Sequence, residues 1–318
     1  MKKYLLFLSI FTLSTIFCKA QDTKLFYKRP AKEWVEALPL GNSRLGAMVF
    51  GNPAREQLQL NEETMWGGGP HRNDSPNMLK VLDEVRSLIL AGKEKEAEAL
   101  LEKNMRTPHN GMPYQTIGSL YLDFAGHNKY SNYSRQLDLA TAVATTKYTV
   151  DDINYTREIF SSFTDNVIVI KITADKANSI SFTAGYDSPV KDYKVQAKGD
   201  KLILKGMGAE HEGIKGVIRF ENQTQIKAEG GSVKVEDNKL SVKAANSVVI
   251  YISIATNFVN YQDVSANEST KATHFLKTAI SKSYDKALAG HIKYYKKQFD
   301  RVSLDLGKSD SILEETDV

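Results

Sequence analysis

"NVIVIKITA" (residues 166–174) and "SVVIYISIATNF" (residues 247–258) are the two stretches that decide the fold. Both are short runs rich in the β-branched residues Val and Ile, which favour strands. In neither run do apolar residues alternate regularly with polar ones. Continuous apolar runs of this length are typical of central strands that are buried on both faces.

More strand-like runs surround these two, between residues 117 and 258, with Gly, Asn or Asp between them. "KVQAKGDKLILKG" (194–206) has the pattern of a face that is half exposed to solvent. "VEDNKLSV" (235–242) predicts a hairpin with its turn at Asp237–Asn238. Many short strands at regular intervals predict a mainly β fold, a large antiparallel β-sandwich or supersandwich.

Two segments change to a helical period. Residues 77–105 carry apolar side chains at helical spacing and break at Gly92, which predicts a helical pair inserted into the strand-rich region. A second helical pattern begins near Thr270. The predicted organisation is a signal peptide at 1–20, a sandwich domain at 21–268 with the helical insertion at about 77–105, linker helices at 269–302, and the start of a connection at 303–318.

The N-terminus has the pattern of a secretory signal peptide. Lys2 and Lys3 precede 14 apolar or hydroxyl residues (4–17), and Ala20 stands at a suitable cleavage position. Cys18 raises the alternative of a lipid anchor, but bulky residues precede it, so we predict plain cleavage and a periplasmic or extracellular protein. Cleavage removes three of the 42 basic residues and no acidic residue, which lowers the net charge from +4 to +1. It also removes the single cysteine.

The sequence lacks the motifs that are typical of several functional classes. The sequence has no basic block with interleaved aromatic residues, so we expect no nucleic-acid partner, and no segment of the mature chain is apolar enough for a membrane span. His71 and His109 lack metal-ligand spacing, and Gly67–Gly69 is not followed by the Lys-Ser/Thr of a phosphate loop. We expect no metal and no cofactor.

The stretch "LNEETMWGGGP" (60–70) is unusual because it places a tryptophan between carboxylates and three glycines. It fits either a sugar-facing loop or a tightly packed turn. Glu62 and Glu63 are adjacent, so on a strand their side chains point to opposite faces. They therefore cannot form the pair of carboxyl groups that a glycosidase holds across its substrate.

Three longer stretches carry a family resemblance. These are "EWVEALPLGNSRLGAMVFGNPAREQLQLNEETMWGGGP" (33–70), "YSRQLDLATAVATTKYTVDDINYTREIFSSFTDNVIVIKITA" (133–174) and "HIKYYKKQFDRVSLDLG" (291–307). Together, and in this order, they resemble the N-terminal domain and linker of glycoside hydrolase family 95, the α-L-fucosidases and related α-L-galactosidases. The resemblance covers essentially the whole mature chain.

The resemblance implies a multidomain enzyme that hydrolyses terminal α-L-fucosyl linkages of glycans with inversion, and the signal peptide predicts that it is exported. Its catalytic residues lie in an (α/α)6 barrel that this chain is expected to lack, so no catalytic residue is assigned here. The expected partners are a fucosylated oligosaccharide or glycan and the catalytic barrel domain, in cis or in trans. Alone, the domain is expected to be inactive. The alternative is a free-standing carbohydrate-binding β-sandwich module without hydrolase activity.

The resemblance also implies a position for the loop at 60–70 in the full enzyme. We predict that Asn61, Glu62 and Trp66 face the barrel and contact substrate at the rim of the active site. The three glycines would let the backbone approach closely. The alternative is that this loop only docks the two domains.

Overall fold

The computed structural model describes residues 23–104, 107, 109 and 111–304. The predicted signal peptide (1–20) lies outside the described residues, as does nearly all of the predicted connection at 303–318. The strands are β1 (Lys24–Tyr27), β2 (Leu38–Gly41), β3 (Leu45–Val49), β4 (Arg55–Glu62), β5 (Gly118–Asp123), β6 (Ser131–Asp138), β7 (Val143–Val150), β8 (Ile153–Ser161), β9 (Ile168–Ala174), β10 (Ile180–Asp187), β11 (Lys194–Lys198), β12 (Lys201–Met207), β13 (Arg219–Glu229), β14 (Ser232–Glu236), β15 (Lys239–Ala245) and β16 (Ser247–Thr256). The α-helices are α1 (Met78–Leu90), α2 (Glu94–Asn104), α3 (Glu268–Ile280) and α4 (Tyr284–Phe299), and a 3-10 turn lies at Trp34–Glu36.

The strands form two antiparallel sheets that face each other. The larger has nine strands in the order β1-β6-β7-β8-β9-β16-β13-β12-β11, and the smaller has seven in the order β14-β15-β10-β5-β4-β3-β2. The hairpin predicted at 235–242 is present, with Glu236 paired to Lys239 and both turn residues, Asp237 and Asn238, at positive φ. The predicted antiparallel β-sandwich is confirmed.

The two stretches that decide the fold are neighbours at the middle of the nine-stranded sheet. On β9, Ile168 and Ile170 point into the core between the sheets, whereas Val169 points to the opposite face. Because β9 and β16 are buried on both sides, their sequences show no polar alternation.

Helices α3 and α4 cover the outer face of this sheet. Leu276 and Ala279 of α3 and Ala287 of α4 pack with Val169 and Tyr251 in a second apolar cluster. Each helix begins with a capping residue, Asn267 for α3 and Ser283 for α4, whose side chain accepts a hydrogen bond from the first turn. The predicted linker helices therefore form a third layer of the fold.

Helices α1 and α2 form the helical pair that is inserted between β4 and β5. Gly92, at φ +71°, lies in the turn between them. They pack mainly on each other, and each contributes one buried residue, Val85 and Ala97. The pair projects from the same end of β4 as the tryptophan loop. Among the described residues no helix is both long and apolar enough to cross a bilayer.

Candidate functional site

The tryptophan loop begins where β4 ends. Met65 is buried and fixes the loop to the core, whereas Trp66 remains 45% exposed. The indole Nε1 of Trp66 donates to the carbonyl oxygen of Glu63 at 3.0 Å, and the ring of Tyr114 meets the indole edge-on at 5.4 Å. The Tyr114 hydroxyl donates to the carbonyl oxygen of Glu62 at 3.2 Å. These contacts hold the indole in one orientation while much of its surface stays open to solvent.

The three glycines pack between two neighbouring loops. The Gly67 N–H donates to the Pro113 carbonyl and the Gly68 N–H to the Ala209 carbonyl, both at 2.8 Å. Gly68 has φ +62°, and a Cβ atom there would overlap the sulfur of Met112. The glycine run therefore packs closely against neighbouring loops of this domain.

Trp66 and the glycines form one wall of a cavity of about 800 Å³. The opposite wall is the loop after β16, which contributes Phe258, Asn260, Tyr261 and Gln262. Sequence reasoning missed this second loop. The signal was present, because "NFVNYQD" (257–263) places two aromatic residues and three side-chain amides directly after a strand.

The second loop is held rigidly by its own hydrogen bonds. The N–H groups of Val259 and Asn260 both donate to the carbonyl oxygen of Asp263, and the Gln262 N–H donates to Asn260 Oδ1 at 2.9 Å. Tyr261 stands at the tip and is largely exposed. The cavity thus has an exposed aromatic side chain on each wall.

The chemistry of the lining is apolar and amide-rich. Met112, Ile218 and Val264 supply aliphatic surface, and His71 and Arg72 are the basic residues among the described lining. None of the described lining residues is Asp or Glu. A pocket of aromatic and aliphatic surface with a few amides suits a neutral ligand that has both C–H and hydroxyl faces.

The two histidines singled out in the sequence lie together at the cavity rim. The rings of His71 and His109 meet edge-on at 5.7 Å, and His71 Nδ1 lies 2.8 Å from the Gly69 carbonyl oxygen. The His109 N–H donates to Asn73 Oδ1, which ties together the two ends of the helical insertion. Within the described residues, no cluster of three or more His, Cys, Asp and Glu side chains has the geometry of a metal site.

Glu62 is buried beneath the loop and lies outside the cavity lining. Its Oε2 accepts from both the N–H and the hydroxyl of Thr64, and Arg44 Nη1 lies 3.5 Å from its Oε1. Burial raises the pKa of the Glu62 carboxyl, and the hydrogen bonds from Thr64 and the charge of Arg44 oppose that rise. Glu63 lies in the turn just after β4 and is exposed, so only one of the two adjacent carboxylates is buried. The position of Glu62 suits it to support the loop, and substrate contact by this residue stays a prediction.

Asn61 lies on the outer face of the seven-stranded sheet, beside Gly46 of β3, and is also outside the cavity lining. Its Oδ1 is buried and has no hydrogen-bond partner among the described residues. Of the three residues predicted to contact substrate, only Trp66 lines the cavity. The structure thus places Trp66 in the cavity wall, and Asn61 and Glu62 outside the lining.

Comparisons with known proteins agree with this architecture. Residues 25–261 match a family model described as the N-terminal domain of glycosyl hydrolase family 65. The chain is 31% identical to Alpha-L-fucosidase 2 of Arabidopsis thaliana, over 91% of this chain and 37% of that protein. It is 28% identical to Probable alpha-fucosidase A of Aspergillus oryzae, over 85% of this chain and 39% of that protein. For the protein of the same name from Aspergillus niger, the identity is 26%, over 85% and 36%.

The chain spans just over a third of the length of each of these relatives. The matched part holds the two sheets and the tryptophan loop. The resemblance of the chain to the N-terminal domain of the family 95 α-L-fucosidases is therefore confirmed. The chain belongs to the family of domains described as the N-terminal domain of glycosyl hydrolase family 65.

Proposed function

We propose that this chain is the N-terminal domain of an exported α-L-fucosidase that hydrolyses terminal α-L-fucosyl linkages of glycans with inversion. The catalytic carboxyl groups are supplied by a barrel domain, in cis or in trans, and the sandwich alone is inactive. The names of the relatives support the activity, and the share of their length that this chain spans supports a partial role.

The observation that carries this proposal is the chemistry of the cavity beside Trp66. Glycoside hydrolysis needs two carboxyl groups placed across the scissile bond. The described cavity lining contains neither Asp nor Glu, and Glu62 is buried behind it. The cavity therefore suits binding, and the chemistry must come from elsewhere.

The lining also suits the proposed sugar. A terminal L-fucosyl unit is a neutral 6-deoxy sugar with a methyl group and three free ring hydroxyls. The aliphatic side chains of Met112 and Ile218 can receive the methyl group, and the amides of Asn260 and Gln262 can bind hydroxyls. The exposed indole of Trp66 can cover the C–H face of the ring.

The experiment is a Trp66→Ala substitution in a full-length enzyme that carries this domain. We expect KM for a fucosylated oligosaccharide to rise about tenfold, the effect of losing roughly 1.4 kcal/mol of binding, with an unchanged melting temperature. Trp34→Ala is the matched control, because Trp34 is 54% exposed, close to the 45% of Trp66, but lies outside the cavity and donates to Gln59. Unchanged KM and kcat together with lowered stability would show that the loop only docks the domains.

The exposed aromatic side chains on both cavity walls, Trp66 and Tyr261, also favour the alternative of a free-standing carbohydrate-binding module. Two measurements distinguish the domain of a larger enzyme from the free-standing binding module. Intact mass of the protein isolated from its host shows whether the native polypeptide is much larger than these 318 residues and whether it begins at Gln21. Titration of the purified chain with fucosylated oligosaccharides shows whether the sandwich binds glycans unaided.

A further inference from the structure

A second cavity, of about 790 Å³, lies at the opposite end of the seven-stranded sheet from Trp66. Its lining includes Arg55, the first residue of β4, whereas the tryptophan loop follows Glu62, the last residue of the same strand. Eight residues of strand separate the two sites by roughly 25 Å. A sugar unit in one cavity cannot touch the other.

We propose that this second cavity binds an anionic sugar unit, one that carries a carboxylate or a sulfate group. Three of the residues that line it are cations, Arg29, Lys32 and Arg55, and none of the described lining residues is Asp or Glu. The described lining beside Trp66 includes one such cation, Arg72. The proposal concerns a separate site and holds whether or not the cavity beside Trp66 binds fucose.

Aromatic surface is available for the sugar ring. The guanidinium of Arg55 lies over the ring of Tyr121, with its Cζ 4.3 Å from the ring centroid. Tyr130 lines the same cavity and is 39% exposed. A stacked guanidinium and an exposed phenol ring together offer flat surface for C–H groups and planar donors for an anion.

The amides in the cavity have hydrogen-bonding capacity left for hydroxyl groups. Asn52 Oδ1 already accepts from the N–H groups of Ala54 and Arg55, so its NH₂ group remains able to donate. Gln57 Nε2 donates to Ser119 Oγ at 3.1 Å, so its amide oxygen remains able to accept. One donor and one acceptor are thus presented in fixed orientations.

The cations are arranged so that a ligand can compete for them. Arg55 is paired with Asp123 at 3.5 Å, but its side chain is well exposed, and exposed pairs of this length are weak. Arg29 is held by Glu36 at 2.6 Å, and the Lys32 side chain is exposed. Arg55 and Lys32 are therefore the groups that we assign to the anion.

The wall of this cavity is built on a buried ion pair. Arg157 donates to the carbonyl oxygens of Asn52 and Pro53 at 2.7 and 2.6 Å, and Glu56 accepts from the Gly51 N–H at 2.7 Å. Removing two charges from water is costly, so such a pair is weak evidence for stability alone. Here it fixes the turn that carries Asn52, which prepares the cavity for a ligand before binding.

The test is calorimetric titration of the purified chain with three probes at low salt. The probes are an oligogalacturonate, a sulfated galactan oligosaccharide and a neutral galactan oligosaccharide. We expect saturable binding of at least one anionic probe, no binding of the neutral probe, and weaker binding as salt rises. Binding of the oligogalacturonate would show that the cavity recognises a carboxylate, and binding of the sulfated galactan oligosaccharide would show that it recognises a sulfate. Failure of both anionic probes, or equal binding of the neutral one, overturns the proposal.

A matched pair of double variants separates a site from general charge attraction. Lys32→Ala with Arg55→Ala removes two cations of the cavity, and we expect at least tenfold weaker binding. Arg86→Ala with Lys103→Ala removes one paired arginine and one exposed lysine from the helical pair, and we expect unchanged affinity. Equal losses in both double variants overturn the proposal. Thermal melting of each variant verifies that the fold is intact, and Trp66→Ala should leave this binding unchanged.

Discussion

Arg157 of β8 and Glu56 of β4 form an ion pair across the two sheets, with Nη1 and Oε2 3.1 Å apart and both side chains fully shielded from solvent. Burial raises the pKa of the Glu56 carboxyl, and the charge of Arg157 opposes that rise. Arg157 also lies over the ring of Phe124 and donates to the Tyr148 hydroxyl. One arginine therefore joins the two sheets and fixes the turn at residues 51–54.

Substitution Arg157→Met should lower the free energy of unfolding by about 3–5 kcal/mol, because it leaves the Glu56 carboxylate buried without its counter-charge. Denaturant unfolding of both proteins measures the difference. Arg86→Met is the control, since Arg86 and Asp83 form an exposed pair on α1 whose loss should cost less than about 1 kcal/mol. A loss at Arg157 no larger than that of the control would contradict the structural role given to the pair.

His127 should make stability depend on pH. The imidazole is buried between the rings of Phe124 and Tyr155, and burial, assisted by the charge of Arg157, lowers its pKa from 6.5 to about 4. As pH falls from 6.5 towards 4, the unfolded chain takes up this proton before the folded one does. The stability that the neutral imidazole contributes is therefore complete above pH 6.5 and is lost as pH falls through this window.

The measurement for His127 is denaturant unfolding at several pH values between 4 and 7, for the natural chain and for His127→Gln. The difference between the two unfolding free energies should shrink or change sign as pH falls, because glutamine does not titrate. The other titratable groups are the same in both proteins, so their contributions cancel in this difference. Two parallel curves would show that His127 does not titrate differently in the folded and unfolded states.

Gly68 should tolerate alanine less well than Gly92 does, although both have positive φ. At Gly92 the space around a Cβ atom is open, so Gly92→Ala costs only backbone strain, on the order of 1 kcal/mol. At Gly68 the added methyl group overlaps the Met112 sulfur and lies 3.3 Å from Ile214 Cγ2, so the flexible methionine must move and we expect an additional loss of up to about 1 kcal/mol. Thermal unfolding of the two variants compares them. Equal losses would mean that the loop can move away from Met112.

Helix α3 should contribute to the stability of the sandwich. Leu276 is 1% exposed and packs beneath the helix on the outer face of the nine-stranded sheet. Leu276→Ala should cost about 2–5 kcal/mol in denaturant unfolding, because it leaves a cavity. Leu79→Ala on α1 should cost little, since Leu79 is 81% exposed. A small effect at Leu276 would indicate that the helix layer can detach while the two sheets stay folded.

Local patterns were sufficient for the elements and for the fold class. The unbroken apolar runs of β9 and β16, the Asp237–Asn238 turn and the break at Gly92 each reflect short-range preferences that one segment carries by itself. The opposite faces expected for Glu62 and Glu63 depended on both lying on a strand, but β4 ends at Glu62 and Glu63 lies in the following turn.

The burial of strand β13 could not be predicted from its local sequence pattern. Its polar run Glu221–Gln225 is buried, although its sequence resembles a solvent-facing strand. Thr224 meets the hydroxyl of Tyr186 from the other sheet, and Gln223 donates to Thr273 of α3 at 2.8 Å. Polar residues can be buried when partners are supplied, and these partners come from remote parts of the chain.

The sequence by itself determined that this chain is an antiparallel sandwich with an aromatic, glycine-rich loop, because strand periodicity and turn chemistry act over a few residues. Only the tertiary structure decided what that loop faces. It brought residues 64–72 and 258–264 together as the walls of one cavity, and it placed Glu62 behind that cavity. It also gathered Arg29, Lys32 and Arg55 around another. Such contacts join segments far apart in the chain, and they form only when the sheets pack.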